Sequence, residues 1–301
     1  MTQHIRKFVG LAIATCFVIL GWALTQTSAA QPLSATQLSA QQQSAQMANL
    51  HEGDRPIATP MAQAPSEPVV GQPVTYGTVE GESVTGYLAM PEGVSDSIPG
   101  IIVIHEWWGL NDNIRTMTER LAGEGYAALA VDLYQGSVAE TPDEARSLVQ
   151  SALENPDLLN QNLLEAHNYL ETELNAPATA SIGWCFGGTW SLNTALLLPE
   201  TLDAAVIYYG GGIVTDSETL EALQMPIQGH FGEIDSNPSL ATVRDFESTL
   251  DSLGKNAGIY IYGSADHAFA NPSGTRYNEE AAELSWKRTL EFLQYHLKAI
   301  I

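Results

Sequence analysis

The chain has 301 residues, 45% of them hydrophobic, with 35 acidic side chains against 12 Lys and Arg and a formal net charge of −23. At about 150 residues per domain this length suits one or two domains, and the apolar fraction suffices for a core. The charge argues against nucleic acid and anionic membrane surfaces as partners, because a phosphate backbone is repelled rather than neutralised.

Residues 1–30 read as an export signal. Arg6 and Lys7 make a basic start, residues 8–24 an apolar run, and Ser28-Ala29-Ala30 a small-residue cleavage site before Gln31. The run is slightly long for a signal, so an N-terminal membrane anchor is the alternative. The expectation is an exported protein, periplasmic or extracellular, with no membrane contact after cleavage. Cys16 leaves with the signal, and Cys185 remains as the single thiol. With no disulfide partner in an oxidising compartment, a thiol that stays reduced is expected to be sheltered and to have a chemical task. Residues 31–68, rich in Gln, Ser, Ala and Pro and without a sustained hydrophobic period, read as a disordered linker.

The folded domain is expected over 69–301. Residues 74–79 and 83–90, around Glu80-Gly81-Glu82, form a hairpin at a sheet edge. The run 100–104 is continuously apolar, as in a strand buried on both faces of a parallel sheet. A helix over 114–122, a strand over 126–131 and helices over 142–154 and 158–173 follow. Beyond residue 190 the alternation continues with strands at 204–208, 227–231 and 259–262 and helices near 217–223, 240–253 and 278–297. This order specifies an α/β fold: a mostly parallel central sheet with helices on both faces and active residues at the carboxyl ends of the strands.

The stretch 178–190 organises that domain. Ala180, Ser181 and Ile182 run as a strand into Gly183-Trp184-Cys185-Phe186-Gly187-Gly188, and a helix follows. Glycines two positions either side of Cys185 fit a sharp strand-to-helix turn, with Gly188 allowing the helix to pack on the strand. This is a nucleophile elbow with cysteine in place of serine; the alternative is a small buried cysteine in a glycine-rich turn. Helix N-terminal N–H groups at such an apex suit a developing oxyanion, and the helix dipole favours thiolate.

Of seven histidines, His267 directly after the last strand stands where a general base for Cys185 belongs, whereas His51 falls in the linker and His105 and His230 precede the expected position. Asp235, after strand 227–231, is the candidate to orient it. Asp266 competes but is adjacent to His267, and Asp235 also fits a helix cap in Asp235-Ser236-Asn237-Pro238. Glu106 follows the buried strand 100–104 among tryptophans, where desolvation raises a carboxyl pKa and lets it share a proton with a nearby thiol; a loop ion pair is the other reading.

His105-Glu106-Trp107-Trp108-Gly109-Leu110, Asp132-Leu133-Tyr134, the cysteine elbow, Gly232-Glu233-Ile234-Asp235 and His267-Ala268-Phe269 together resemble the dienelactone hydrolase (carboxymethylenebutenolidase) family of the α/β-hydrolase fold. The resemblance implies that Cys185, Asp235 and His267 form a triad, that Glu106 restrains the resting thiol, and that the Trp107 and Phe186 N–H groups form an oxyanion hole. It also implies a small-molecule ester or lactone substrate and neither metal nor organic cofactor. Trp108, Tyr134, Phe269 and Asn271 are expected around the substrate. Family members that hold an anionic dienelactone use two arginines; this chain has Gln135-Gly136 and Asn271 at those places, and Arg276 is the available substitute. The rival readings are a non-catalytic binding protein on the same scaffold and a redox thiol.

Overall fold

Five strands, β3 (Gly100–Ile104), β4 (Ala127–Val131), β5 (Thr179–Trp184), β6 (Ala204–Tyr208) and β7 (Ile227–Gly232), are buried along their whole length, the few polar residues in β5 and β7 included. Strands covered on both faces read this way because no side of the pleat meets water. With β1 (Val69–Val79), β2 (Glu82–Pro91) and β8 (Ala257–Tyr262) they form one eight-stranded sheet in the order β1-β2-β4-β3-β5-β6-β7-β8. β3 to β8 run parallel, and the β1–β2 hairpin is antiparallel to β4 at one edge.

Alternation along β5 assigns the helices to faces. Ser181 bonds Ser191 of α5 (Phe186–Leu197) on one face. Trp184 points to the other, lining a cleft of about 510 Å³ with α2 (Asp112–Gly123) and α8 (Glu279–Leu293). α3 (Pro142–Glu154), α4 (Pro156–Asn168), α6 (Ser217–Leu220) and α7 (Leu240–Ser252) complete the alternation expected from the sequence.

This computed structural model describes residues 38–52, 54, 64–94 and 97–298, which belong to a unit beginning at Leu38. The expected export signal, residues 1–30, lies outside the described residues. Of the disordered linker expected over 31–68, residues 31–37, 53 and 55–63 also lie outside the described residues, while within the described part the structure carries helix α1 (Ala40–Leu50), which packs against α3. A capping box starts it: the Ser39 hydroxyl accepts the Gln42 N–H, and the Gln42 side chain accepts the Ser39 N–H. Met47 and Ser44 are its buried residues, and the helix ends at His51.

Candidate active site

Cys185 stands between β5 and α5 with φ 56° and ψ −115°, a strained backbone held by its N–H on the Tyr208 carbonyl of β6. The flanking glycines make this turn possible. A side chain on Gly183 would run into the backbone of Gly187, and one on Gly187 into the Ile104 carbonyl of β3. Gly188 lies as closely against the Tyr208 carbonyl, so α5 is drawn tight onto the sheet beneath the thiol. The structure therefore has the elbow that the glycine spacing predicts.

His267 and Asp235 come from the loops after β8 and β7 and meet at the same edge. His267 Nδ1 donates to Asp235 Oδ2 at 2.9 Å, with both side chains buried. The other Asp235 oxygen accepts the Asn237 N–H, and α7 is capped by Ser239, so Asp235 is not a helix cap. Asp266 accepts the backbone N–H of His267 and leaves the imidazole alone. His267 Nε2 has no hydrogen-bond partner apart from the thiol side of the site, where one ring nitrogen of His267, one of His51 and the Cys185 sulfur all lie within 4.8 Å of one another.

His51 is the residue that sequence reasoning set aside. It is 2% exposed, its ring stacks on Trp107 at 4.3 Å between centroids, and its Nε2 is 3.5 Å from Cys185 Sγ. Its Nδ1 donates to Asp54 Oδ2 at 2.7 Å. Asp54 in turn accepts from Thr275 Oγ1 at 3.0 Å and Arg276 Nη2 at 2.7 Å, and Arg276 also donates to the Leu50 carbonyl. Two His–carboxylate pairs thus face one sulfur.

Two further buried histidines, His105 and His230, are spent on structure. His105 Nδ1 donates to the Glu106 carbonyl while its Nε2 accepts the Leu133 N–H, tying the loop after β3 to that after β4. Asp132 holds the latter loop by accepting the N–H groups of Tyr134 and Gly136. His230 sits in the core among Gln228, Tyr262 and Thr289, and burial pushes its pKa down to about 3.

Burial alone would push the Cys185 thiol up, but the charge and hydrogen bond of His267, and then those of His51, bring its pKa down to about 6. Burial likewise opposes an imidazolium at His267, yet the Cys185 charge and then Asp235 raise it to about 10. Both shifts run toward thiolate and imidazolium, each charge favouring the other. Glu106, 3% exposed, is pushed up to about 7 by burial and then by the Cys185 charge. It is the desolvated carboxyl the sequence suggested.

Two expected substrate contacts are otherwise engaged. The Asn271 amide donates to Glu106 Oε2 at 2.6 Å, and Arg276 clamps Asp54, so neither is free to hold a substrate carboxylate in this arrangement. Trp108 packs on Trp107 at 4.7 Å, Tyr134 on Phe186 at 5.5 Å with its hydroxyl buried and unbonded, and Phe269 sits behind Tyr209, which touches His267. Trp107 also stacks on His51, so aromatic rings lie beside the thiol. Cys185 itself has no exposed surface.

A mostly parallel sheet with a strained strand-to-helix elbow and a His–Asp pair at its carboxyl edge has the form of an α/β-hydrolase. The family model for the dienelactone hydrolase family matches residues 84–297. The chain is 32% identical over 235 residues to Protein usf of Aquifex pyrophilus, covering 76% of this chain and 100% of that one. It is 33% identical over 233 residues to a Synechocystis sp. protein carrying a provisional carboxymethylenebutenolidase name, covering 71% and 93%. A crystal structure from Klebsiella pneumoniae, described provisionally as a dienelactone hydrolase, superposes with TM-score 0.67 at 28% identity, covering 75% of this chain and 98% of that one. The chain belongs to the dienelactone hydrolase family, whose members are carboxylic ester hydrolases acting on small esters or lactones.

Proposed function

We propose that the chain cleaves a small, neutral or weakly polar ester or lactone through a Cys185 acyl-enzyme, and that it does so outside the cytoplasm. The observation that carries this reading is the Cys185 sulfur on its strained elbow with the His267–Asp235 pair behind it.

The thiolate attacks the ester carbonyl carbon. The carbonyl oxygen takes the negative charge, facing the N–H groups of Phe186, at the free start of α5, and Trp107. His267 as imidazolium gives its proton to the departing alkoxide, leaving a thioester on Cys185. Neutral His267 then takes a proton from water; the resulting hydroxide attacks the thioester, and the thiolate and acid separate with imidazolium restored. Asp235 holds the ring so that Nε2 faces the sulfur throughout. Glu106, close enough to feel the thiolate charge, disfavours the thiolate whenever it is itself ionised.

A neutral substrate follows from the charges. The family's arginine positions hold Gln135, Gly136 and Asn271, Arg276 is paired with Asp54, and the chain is strongly acidic, so an anionic dienelactone finds no counter-charge. The export reading rests on the pattern of residues 1–30.

The test is p-nitrophenyl acetate hydrolysis by wild type beside Cys185→Ala. Hydrolysis is expected in the first and only background in the second. Equal rates in both would refute the acyl-enzyme and leave a binding scaffold.

A further inference from the structure

We propose that His51, Cys185 and His267 together form a site for a divalent thiophilic cation of the zinc type, and that a cation bound there withholds the sulfur from acyl transfer. The site shares Cys185 and His267 with the hydrolytic reading, but its third ligand comes from the end of α1, which that reading does not require.

Geometry is the first support. The sulfur and one nitrogen from each ring lie within 4.8 Å of one another, and Cys185 Sγ is 3.5 Å from His51 Nε2. A tetrahedral zinc ion with bonds of about 2.3 Å to sulfur and 2.0–2.1 Å to nitrogen places those two atoms about 3.6 Å apart. That edge of the polyhedron is already formed.

The surroundings of the ligands are the second support. A metal-binding histidine commonly donates its remote N–H to a carboxylate, which aims the other nitrogen and raises its basicity. Both rings here have that partner: Asp54 Oδ2 on His51 Nδ1 at 2.7 Å and Asp235 Oδ2 on His267 Nδ1 at 2.9 Å. Asp54 is itself fixed by Thr275 and Arg276. All three ligands are buried, which shields a bound ion from bulk water.

The donor set gives the ion class. One thiolate and two imidazoles suit zinc or cobalt(II), whereas magnesium and calcium require oxygen. Three protein ligands leave a fourth position for water. On binding, Cys185 enters as thiolate and both rings as neutral imidazole, with the displaced protons passing to solvent. The sulfur lone pair that would attack an ester carbonyl is then donated to the metal.

Cobalt(II) titration of the full chain, reduced and first stripped with a chelator, tests this without any turnover. The expected result is one equivalent bound, with a thiolate-to-cobalt charge-transfer band and the intense visible bands of a four-coordinate ion, both abolished by added zinc. Cys185→Ser should lose the charge-transfer band. Asp54→Asn, which alters only the support behind His51, should weaken binding about 10–100-fold, and His51→Ala should weaken it by more. His51→Cys should restore tight binding with a second thiolate, which shows that the alanine variant lost a ligand rather than its fold. Absence of the band at a large excess of cobalt overturns the proposal, and so does His51→Ala binding as tightly as wild type. Ester hydrolysis that survives such a failure leaves the acyl-enzyme reading standing, because the two readouts are separate.

Discussion

The two His–carboxylate pairs that face Cys185 are alike in chemistry and unlike in origin. His267 and Asp235 sit 32 residues apart on loops that leave adjacent strands β8 and β7, so the parallel sheet itself sets their separation. His51 and Asp54 sit three residues apart at the end of a helix outside the sheet, and what holds them is a ring stack on Trp107 and the bonds from Thr275 and Arg276. The first pair is tied to the sheet by the short loops that follow paired strands. The second is held from outside the sheet, by those bonds and by the packing of α1 on α3, so its release need not disturb the sheet.

The largest test of this asymmetry is catalytic. His267→Ala should lower kcat/KM for p-nitrophenyl acetate about 10²–10⁴-fold, the range for loss of a general acid–base group. His51→Ala should change it by less than about 10-fold, on the same scale, since His267 still exchanges every proton the reaction moves. Similar losses in both variants would break the comparison and make His51 a second base.

Stability gives the next contrast. Gly187→Ala forces a methyl group into the Ile104 carbonyl, a backbone atom of β3 that cannot step aside, so thermal melts should show a loss of about 1–3 kcal/mol or more. Asp54→Ala breaks a pair whose side chains are only 9% and 19% exposed, a change that is costly in a rigid interior. Here the loss is capped at the free energy of releasing the segment. The melt should stay near wild type, while amide exchange in α1 accelerates. A large drop in melting temperature for Asp54→Ala would show that the segment is as integral as the elbow.

The same contrast explains what could be read in the sequence. The elbow was legible because its glycines answer local collisions, and buried strands such as β3 and β4 because their apolar runs are continuous. His267 was legible from its place after the last strand. α1 was not, because its Gln, Ser and Ala residues carry no sustained apolar stripe and only Ser44 and Met47 are buried. The signals present were subtler: the Ser39-x-x-Gln42 capping box and the His51-x-x-Asp54 spacing. The bonds of Asn271 and Arg276 were not legible, because their partners Glu106 and Asp54 lie 165 and 222 residues away, a pairing no local pattern encodes.

The finest test is the titration of the thiol in chelator-treated protein. From an ordinary value of 9.0, burial acts to raise the Cys185 pKa, and the His267 and then the His51 interactions lower it to about 6. The thiolate is therefore present above about pH 6 and lost as pH falls through it. The His267 imidazolium, raised to about 10, is present below that pH and lost above. These values belong to the coupled pair, and iodoacetamide alkylation should rise through pH about 6 rather than near 9. His51→Ala removes the weaker of the two partners, so the midpoint should move upward but stop short of the value reached in His267→Ala. Greater access to the sulfur in that variant changes the plateau rate and not the midpoint. An unmoved midpoint would mean that His51 does not hold the thiolate, and a shift as large as that of His267→Ala would make the two pairs equivalent despite their different anchorage.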